Sequence, residues 1–474
     1  MHGYDPGAFF CEMLRPGSPP DATLTLLMAR LAALPIQSLR QRATEAERDL
    51  LERGITFTVY SDATAIDRIL PFDLIPRVLT PTEWQQIDTG VTQRVRALNM
   101  FLYDIYHERK ILADKIIPAE LVLNNPGYCQ AMVGFDVPFN TYVHVCGTDI
   151  VRDETGAFRV LEDNVRTPSG VAYVVENRHM SLRVLSDVMT SLRVRSVDEY
   201  GLRLHNAMAE IAPPGVADPQ VVVLSPGIFN AAYFEHVFLA REMGVPLVEG
   251  RDLTVEAGKV WMRTTAGLAP VHTIYRRIGD DFLDPDAFNP DSTLGVRGLI
   301  EAWRRGTVAI ANAVGTGVAD DKAIFAYMPR IIRYYLSEEP ILSNVDTRIC
   351  AEAEALAYTL DHLHELVVKP VAESGGYGLL VGPHASKQEL EDFRALLKAD
   401  PCNYISQPTM KLSVSPTLCE DGVRPRHIDL RPFAVTGKDT WVLPGGLTRV
   451  ALRAGTLVVN SSQGGGSKDT WVLA

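Results

Sequence analysis

The segment from Tyr142 to Asn164 constrains this chain most. Tyr142 to Ile150 and Phe158 to Asn164 read as two strands, and the intervening Asp153-Glu154-Thr155-Gly156 has the composition of a tight turn. With the turn near Thr155-Gly156, Asp149 lies opposite Glu162 across the ladder. Asn164, two residues on, projects from the same face because strand side chains alternate. Two carboxylates and an amide oxygen on one face repel one another unless a cation sits between them. Hard oxygen ligands, few in number, suit Mg²⁺ shared with the phosphates of a nucleotide. A solvated acidic hairpin has the same spacing, and a one-residue slip in register breaks the convergence. Both readings stay open at this point.

The rest of the chain mixes helical and strand patterns. Residues 22–53 read as one helix ending at Gly54, residues 55–60 as a strand, and 82–108 as a second helix. Val221 to Ser225 is a short apolar run of the kind buried in a parallel sheet. A loop with Pro226 and Gly227, a helix over about 231–243 and a strand at 245–248 complete a βαβ unit. Residues 298–313 and 350–365 read as helical, and the last hundred residues as strands and Gly-rich loops. Lys438 to Leu443 recurs as Lys468 to Leu473, which the spacing explains as two similar strands of one sheet.

A second constellation lies late in the chain. Leu366 to Pro370 is a strand carrying one Lys, Lys369, and is followed by Ser374-Gly375-Gly376-Tyr377-Gly378. Glycines let backbone N–H groups approach phosphate oxygens, and the Lys supplies charge. The order of parts fits neither a Walker A loop nor a dinucleotide fingerprint, and a Gly-rich hairpin turn has the same look. Gln407, at the end of a strand, could offer its amide to a base edge. His362 and His364 have no ligand spacing and receive no role.

Composition narrows the class. The chain has 474 residues, 46% hydrophobic and 22% charged, which suits a water-soluble globular protein with an ample core. A net charge of −12 argues against a coat for nucleic acid or for an anionic membrane. The six cysteines are scattered without a C-x-x-C pair, a pattern of free thiols in a reducing compartment. The start lacks a basic, apolar leader, and Leu24 to Ile36 is interrupted by Arg30 and Pro35, well short of the ~20 apolar residues of a membrane span. Cytoplasm is the expected compartment.

Several segments together resemble the circularly permuted ATP-grasp family: Pro71 to Arg77, Gly147 to Asp149, Leu161 to Gly170, Tyr275 to Ile278, Val367 to Pro370 with its Gly loop, and Asn460 to Gly466. The order also fits, because Glu162 and Asn164 precede Lys369, the reverse of ordinary ATP-grasp chains. The resemblance implies an α+β (mixed α/β) ATP-grasp fold with a Rossmann-like βαβ subdomain and an N-terminal helical segment. It divides into residues 1–80, 81–215 with the metal hairpin, 216–297 as substrate subdomain, and 298–474 with the lysines and Gly loop.

Among characterised relatives the likeness is to the synthetase half of glutathionylspermidine synthase. That likeness implies ATP and Mg²⁺ as cofactors. Asp149, Glu162 and Asn164 would hold the metal, Lys322 and Lys369 would contact phosphates, Gly375, Gly376 and Gly378 would cover them, and Gln407 would face the adenine. It implies a carboxylate–amine ligase working through an acyl phosphate, with a small-molecule or peptide carboxylate and an amine acceptor as partners. Where that family has an Arg two residues before the metal-binding Asp, this chain has Gly147. Arg152 and Arg166 are the sequence candidates to replace it, and Arg276, after a strand-like segment, joins them as a candidate catalytic cation. A nucleotide-binding scaffold or sensor with reduced activity is the alternative, and a small-molecule kinase is a third.

Overall fold

The computed structural model describes residues 4–15, 21–61, 64–371, 378–456, 459 and 464–474, with the side chains of 57–67 outside that description. A five-stranded sheet at its centre holds the hairpin. Its strand order is Ser343–Asn344, Phe158–Asn164, Val145–Arg152, Phe433–Thr436, Thr440–Val442. The ladder between Val145–Arg152 and Phe158–Asn164 is antiparallel, pairs Asp149 with Glu162 and Gly147 with Asn164, and shifts register between Asp149 and Ile150.

The first hairpin strand begins at Val145, later than the pattern suggests. Tyr142 and Val143 donate their N–H groups to Asn99 Oδ1, and His144 and Val145 to Asn312 Oδ1, so side-chain acceptors replace a ladder partner there. Asn312 also donates Nδ2 to the carbonyls of Val145 and Val165, which ties the hairpin to a second sheet.

That second sheet is the βαβ unit. Ala309–Ala311, Thr273–Arg276, Val221–Leu224 and Leu247–Val248 lie side by side, all parallel, with the helix Tyr233–Met243 as a crossover. The strand Ala309–Ala311 falls where a helix over 298–313 was expected. Only Leu299–Arg304 is helical, because Gly306 takes a φ of 69° and the β-branched and small run that follows is buried in the sheet.

A third, antiparallel sheet carries Lys369. Its order is Arg348–Ile349, Tyr404–Pro408, Leu366–Pro370, Leu380–Val381. The helix Lys387–Ala399, capped by Ser386 and Glu389, flanks it and has no counterpart in the sequence reading. Its buried residue Leu397 belongs to the same small apolar cluster as Leu363, Val368 and Leu380.

Residues 22–53 form two helices, Ala22–Ala33 and Ile36–Glu52, bent by 96°. Pro35 is the break, since it lacks an N–H and disfavours helix for the residue before it. Leu24, Leu27 and Leu31 are buried in the protein, and no single helix among the described residues is long and apolar enough to cross a membrane. The long helix Pro81–Tyr106 opens with a capping box between Thr80 and Glu83.

The repeated hexapeptides are both strands, yet in different sheets. Thr440–Val442 edges the central sheet, whereas Gly466–Val472 lies between Thr448–Val450 and Phe72–Leu79. Tertiary setting separates them: Lys438 is exposed, while Lys468 is buried, ion-paired to Asp73 and hydrogen-bonded to the carbonyls of Ile75 and Pro416.

Two stability predictions follow from these buried groups. Lys468→Met leaves Asp73 buried without its cation and should lower unfolding free energy by about 3–5 kcal/mol in a urea titration. Adding Asp73→Asn, which keeps an acceptor for the Leu418 N–H, should recover part of that loss. Burial pushes the His144 imidazole down to about 3. As pH falls below about 6.5 the unfolded chain takes up this proton and the folded chain does not, so stability should fall by up to ~1.4 kcal/mol per pH unit. Midpoints of thermal unfolding between pH 7 and 4 should fall less steeply in His144→Leu than in the parent.

Candidate functional site

Alternation along the second hairpin strand sends neighbouring acids to opposite faces. Asp163 points toward the long helix, where Arg94 grips both of its oxygens and Thr148 donates a hydroxyl. Glu162 and Asn164 face the other way, with Asp149 beside Glu162. The Asn164 Nδ2 donates to the Gly147 carbonyl at 3.2 Å, committing the nitrogen end and leaving the oxygen end as the acceptor.

The two facing carboxylates have different surroundings. Asp149 is clamped: Arg431 meets its Oδ1 through Nε at 2.5 Å and its Oδ2 through Nη2 at 2.8 Å. Arg449 adds a contact to Oδ2 at 2.6 Å and holds Asp429 with the same guanidinium. Burial alone would raise the Asp149 pKa, but the two arginines outweigh it and hold the carboxyl well below the usual range. Among the described residues Glu162 has no such partner at close range. Lys322 Nζ lies 3.8 Å away and Arg431 Nη2 3.9 Å, and the side chain keeps 30% of its exposure. Its surroundings, and then the neighbouring Asp149 charge, push its pKa up.

The lysines reach this face from separate elements. Asp321 caps the short helix Lys322–Ala326 by accepting the N–H groups of Ala323 and Ile324, which sets Lys322 at its first position. Lys369 sits on the strand Leu366–Pro370, in register with Ile405. Burial pulls its pKa down, Lys322 adds to that, and Glu162 and Asp149 oppose it. The cluster therefore holds Arg431, Arg449, Lys322 and Lys369 against Asp149, Glu162 and Asp429. Four cations against three carboxylates leave one positive charge in surplus, which suits an anionic ligand.

A hard cation fits the donors in one specific way. Glu162 and the Asn164 oxygen share a face, and burial together with the Asp149 charge raises the Glu162 pKa against the pull of Lys322, Lys369 and Arg431, so a cation placed between the two carboxylates would relieve their repulsion. Asp149 joins only by sharing oxygens already taken by arginine. Among the described residues no group of three His, Cys, Asp or Glu is arranged as a metal site, so protein ligands alone would leave coordination to phosphate and water.

The remaining sequence candidates fall in several places. Gly378 is described, with a φ of 66° that favours glycine, while Gly375 and Gly376 lie outside the described residues. Gln407 is buried and donates Nε2 to Thr347 Oγ1 at 2.9 Å, so its amide nitrogen is already engaged. Arg166 pairs with Asp320 at 2.9 Å, two residues before Lys322, and stands at the edge of the cluster. Arg152 is held by Glu12 and Glu83 beneath the hairpin, over the rings of Phe10 and Phe158. Arg276 is buried in the parallel sheet, bonded to the carbonyls of Asn312, Ile278 and Ala313 and paired with Asp280. Neither Arg152 nor Arg276 is drawn into the cluster by these contacts.

Sequence reasoning missed Arg431 and Arg449. Each lies some 280–300 residues after Asp149, and only sheet pairing brings them together. One trace was legible: a Cβ on Gly147 would stand 3.1 Å from Arg431 Cδ and 3.3 Å from its Cγ, so the glycine is the space Arg431 crosses. Arg431 also donates Nη1 to the Ser169 carbonyl, while Arg277 binds the Pro168 carbonyl and Ser169 Oγ and pairs with Glu235. The loop after Asn164 is thereby fastened between the hairpin and the parallel sheet.

Arg449→Met strands the buried Asp429 and takes from Asp149 one of its two arginines, and should cost about 3–5 kcal/mol of unfolding free energy. In a double-mutant cycle with Asp429→Asn, the coupling should exceed 1 kcal/mol, beyond the scatter expected of independent sites.

Comparison with known proteins gives the family and the fold. A family model described as circularly permuted ATP-grasp type 2 matches residues 76–451, a span that contains the hairpin, both lysines and both arginines. An uncharacterised protein of Synechocystis sp. is 50% identical over 474 residues, 100% of this chain and 98% of the relative. A putative glutamate–cysteine ligase of Frankia alni is 40% identical over 449 residues, covering 94% of this chain and 52% of the relative. The chain thus spans about half the length of that protein. A glutathione synthetase-like effector from Globodera pallida, solved in its apo form, shares the fold with a TM-score of 0.58 at 12% identity, over 93% of this chain and 98% of the other.

Proposed function

Because the chain belongs to the circularly permuted ATP-grasp type 2 family, we propose that it is an ATP- and Mg²⁺-dependent ligase that activates a carboxylate as an acyl phosphate and passes it to an amine. The observation that supports this reading is the gathering of Lys322, Lys369 and Arg431 around Glu162.

In this reading Lys322 and Lys369 neutralise the transferring phosphates, and Glu162 with Asn164 and Asp149 would hold the metal, which supplies further charge neutralisation. The substrate carboxylate oxygen attacks the γ-phosphorus, the bond to ADP breaks, and ADP leaves. An amine then attacks the acyl carbon, loses a proton, and inorganic phosphate departs. Arg431, immobilised by Asp149, faces the developing oxyanion. It thus takes the part that the family likeness gives to an Arg at the Gly147 position, a part that Arg152 and Arg276 are too fully engaged to take. The βαβ unit at 221–248 shapes the carboxylate or acceptor pocket, since ligands favour the C-terminal ends of parallel strands. The Frankia relative's name makes glutamate the first acid to try. Six unpaired cysteines support a reducing compartment, and so the cytoplasm.

A scaffold with reduced activity has one observation on its side, the saturation of both Asp149 oxygens by arginine. A hydroxylamine trap separates the readings. With ATP, Mg²⁺, glutamate and hydroxylamine, a ligase yields ADP and the hydroxamate in step. Arg431→Met should slow that release by about 10²–10³. ADP with a stable phosphorylated product and no hydroxamate would identify a kinase instead, and no ADP above background across a panel of acids would favour the scaffold.

A further inference from the structure

A second cavity lies beyond the strand that carries Gln407. It has a volume of about 590 Å³ and is walled by the N-terminal segment at Asp5–Gly7 and Phe9, the stretch Thr409–Lys411, the hairpin residues Pro425–His427, the turn Arg453–Gly455, and His384. That volume lies within the range of small-molecule pockets, roughly 300–1,000 Å³.

Its charge is unlike that of the rest of the protein. Lys411, Arg426 and Arg453 all line it, and among the described residues no carboxylate ion-pairs with any of the three. Elsewhere in a chain of net charge −12, arginines are commonly matched to acids, as Arg94 is to Asp163 and Arg178 to Asp469. Among the described residues the one carboxylate on the wall, Asp5, accepts the N–H of Gly7 and fixes its own turn. Arg426 spends Nε on the Leu452 carbonyl and Nη1 on that of Pro425, which fixes its guanidinium on the wall.

The wall between the cations is apolar and aromatic. Phe9, 37% exposed, packs edge-on against the His427 ring at 4.7 Å, and Met410 adds a thioether that also packs in the cluster of Val151, Val345 and Leu412. The His427 Nδ1 lies 3.0 Å from the Leu412 carbonyl, so that bond orients the ring.

We propose that this cavity is a binding site for a small dianion bearing an apolar group, a phosphate monoester or a dicarboxylate. Lys411, Arg426 and Arg453 hold the charge and Phe9 and Met410 the apolar part. Three cations against one engaged carboxylate leave a surplus of two positive charges, which a dianion neutralises. The cavity holds none of Lys322, Lys369 or Glu162, so its occupant is distinct from the nucleotide proposed above.

Phenyl phosphate, benzylmalonate and inorganic phosphate, titrated calorimetrically into the full chain without ATP, test this. At least one of the two aromatic dianions should bind at least tenfold more tightly than inorganic phosphate. Its binding should weaken at least tenfold in Lys411→Gln/Arg426→Gln and stay unchanged in Lys369→Ala. Which aromatic dianion binds tells the two chemistries apart. Unchanged binding in the double variant, loss of binding in Lys369→Ala, or no binding of either aromatic probe to the folded parent would each overturn the proposal. Unfolding curves establish that the double variant is folded; should it unfold, Phe9→Ala, which removes apolar contact without touching charge, must weaken the aromatic probe and leave inorganic phosphate unaltered.

Discussion

The carboxylate of Asp149 is taken out of solvent by two guanidinium groups, and the geometry of the cleft depends on that clamp. Burial of a lone carboxylate is costly, and its charged form persists here because Arg431 and Arg449 are themselves fixed, Arg449 by Asp429 and Arg431 by the Ser169 carbonyl. The network continues inward. Arg77 donates to the Asp429 carbonyl and pairs with Glu12, which pairs with Arg152, which pairs with Glu83 at the start of the long helix. Strands drawn from the beginning, the middle and the end of the chain are thus held in one charge-balanced interior. Such networks are expensive to break and weak as net stabilisers, so their stronger consequence is a fixed position for Arg431.

That position gives the cleft its polarity. Asp149 is satisfied from behind, so Glu162 is the carboxylate left facing the opening, with Lys322 and Lys369 arriving from a capped helix and an antiparallel strand. A chain of net charge −12 can hold polyphosphate only where cations are concentrated locally, and this is such a place. The same concentration recurs at the cavity of Lys411, Arg426 and Arg453, on different elements and with an apolar wall.

Much of this was legible in the residues, and the parts that were not share a cause. Period-two alternation and a polar turn placed Asp149 opposite Glu162, and that pairing is the observed register. The parallel βαβ unit was visible from the run Val221 to Ser225 and its spacing to Val245–Val248. The errors arose where distant residues decide. Ala309–Ala311 is a strand because a parallel neighbour waits for it, and the two hexapeptide copies part company because Lys468 finds Asp73. Arg431 could not be paired with Asp149 from spacing across 282 residues, although Gly147 marked the gap it fills. Arg152 was attractive because it lies three residues after Asp149, and the structure engages it with Glu12 and Glu83, as it engages Arg276 with Asp280.

The central claim is that one cleft, built on Glu162, Lys322, Lys369 and the clamped Arg431, receives a nucleotide with its metal. Calorimetric titration of ATP into the protein with and without Mg²⁺, repeated on folded Glu162→Ala and Lys369→Ala, tests it most directly. The account predicts binding that depends on Mg²⁺ in the parent, loses that dependence in Glu162→Ala, and weakens at least tenfold in Lys369→Ala. Binding that ignores both substitutions, or none in the folded parent with Mg²⁺ present, would contradict it.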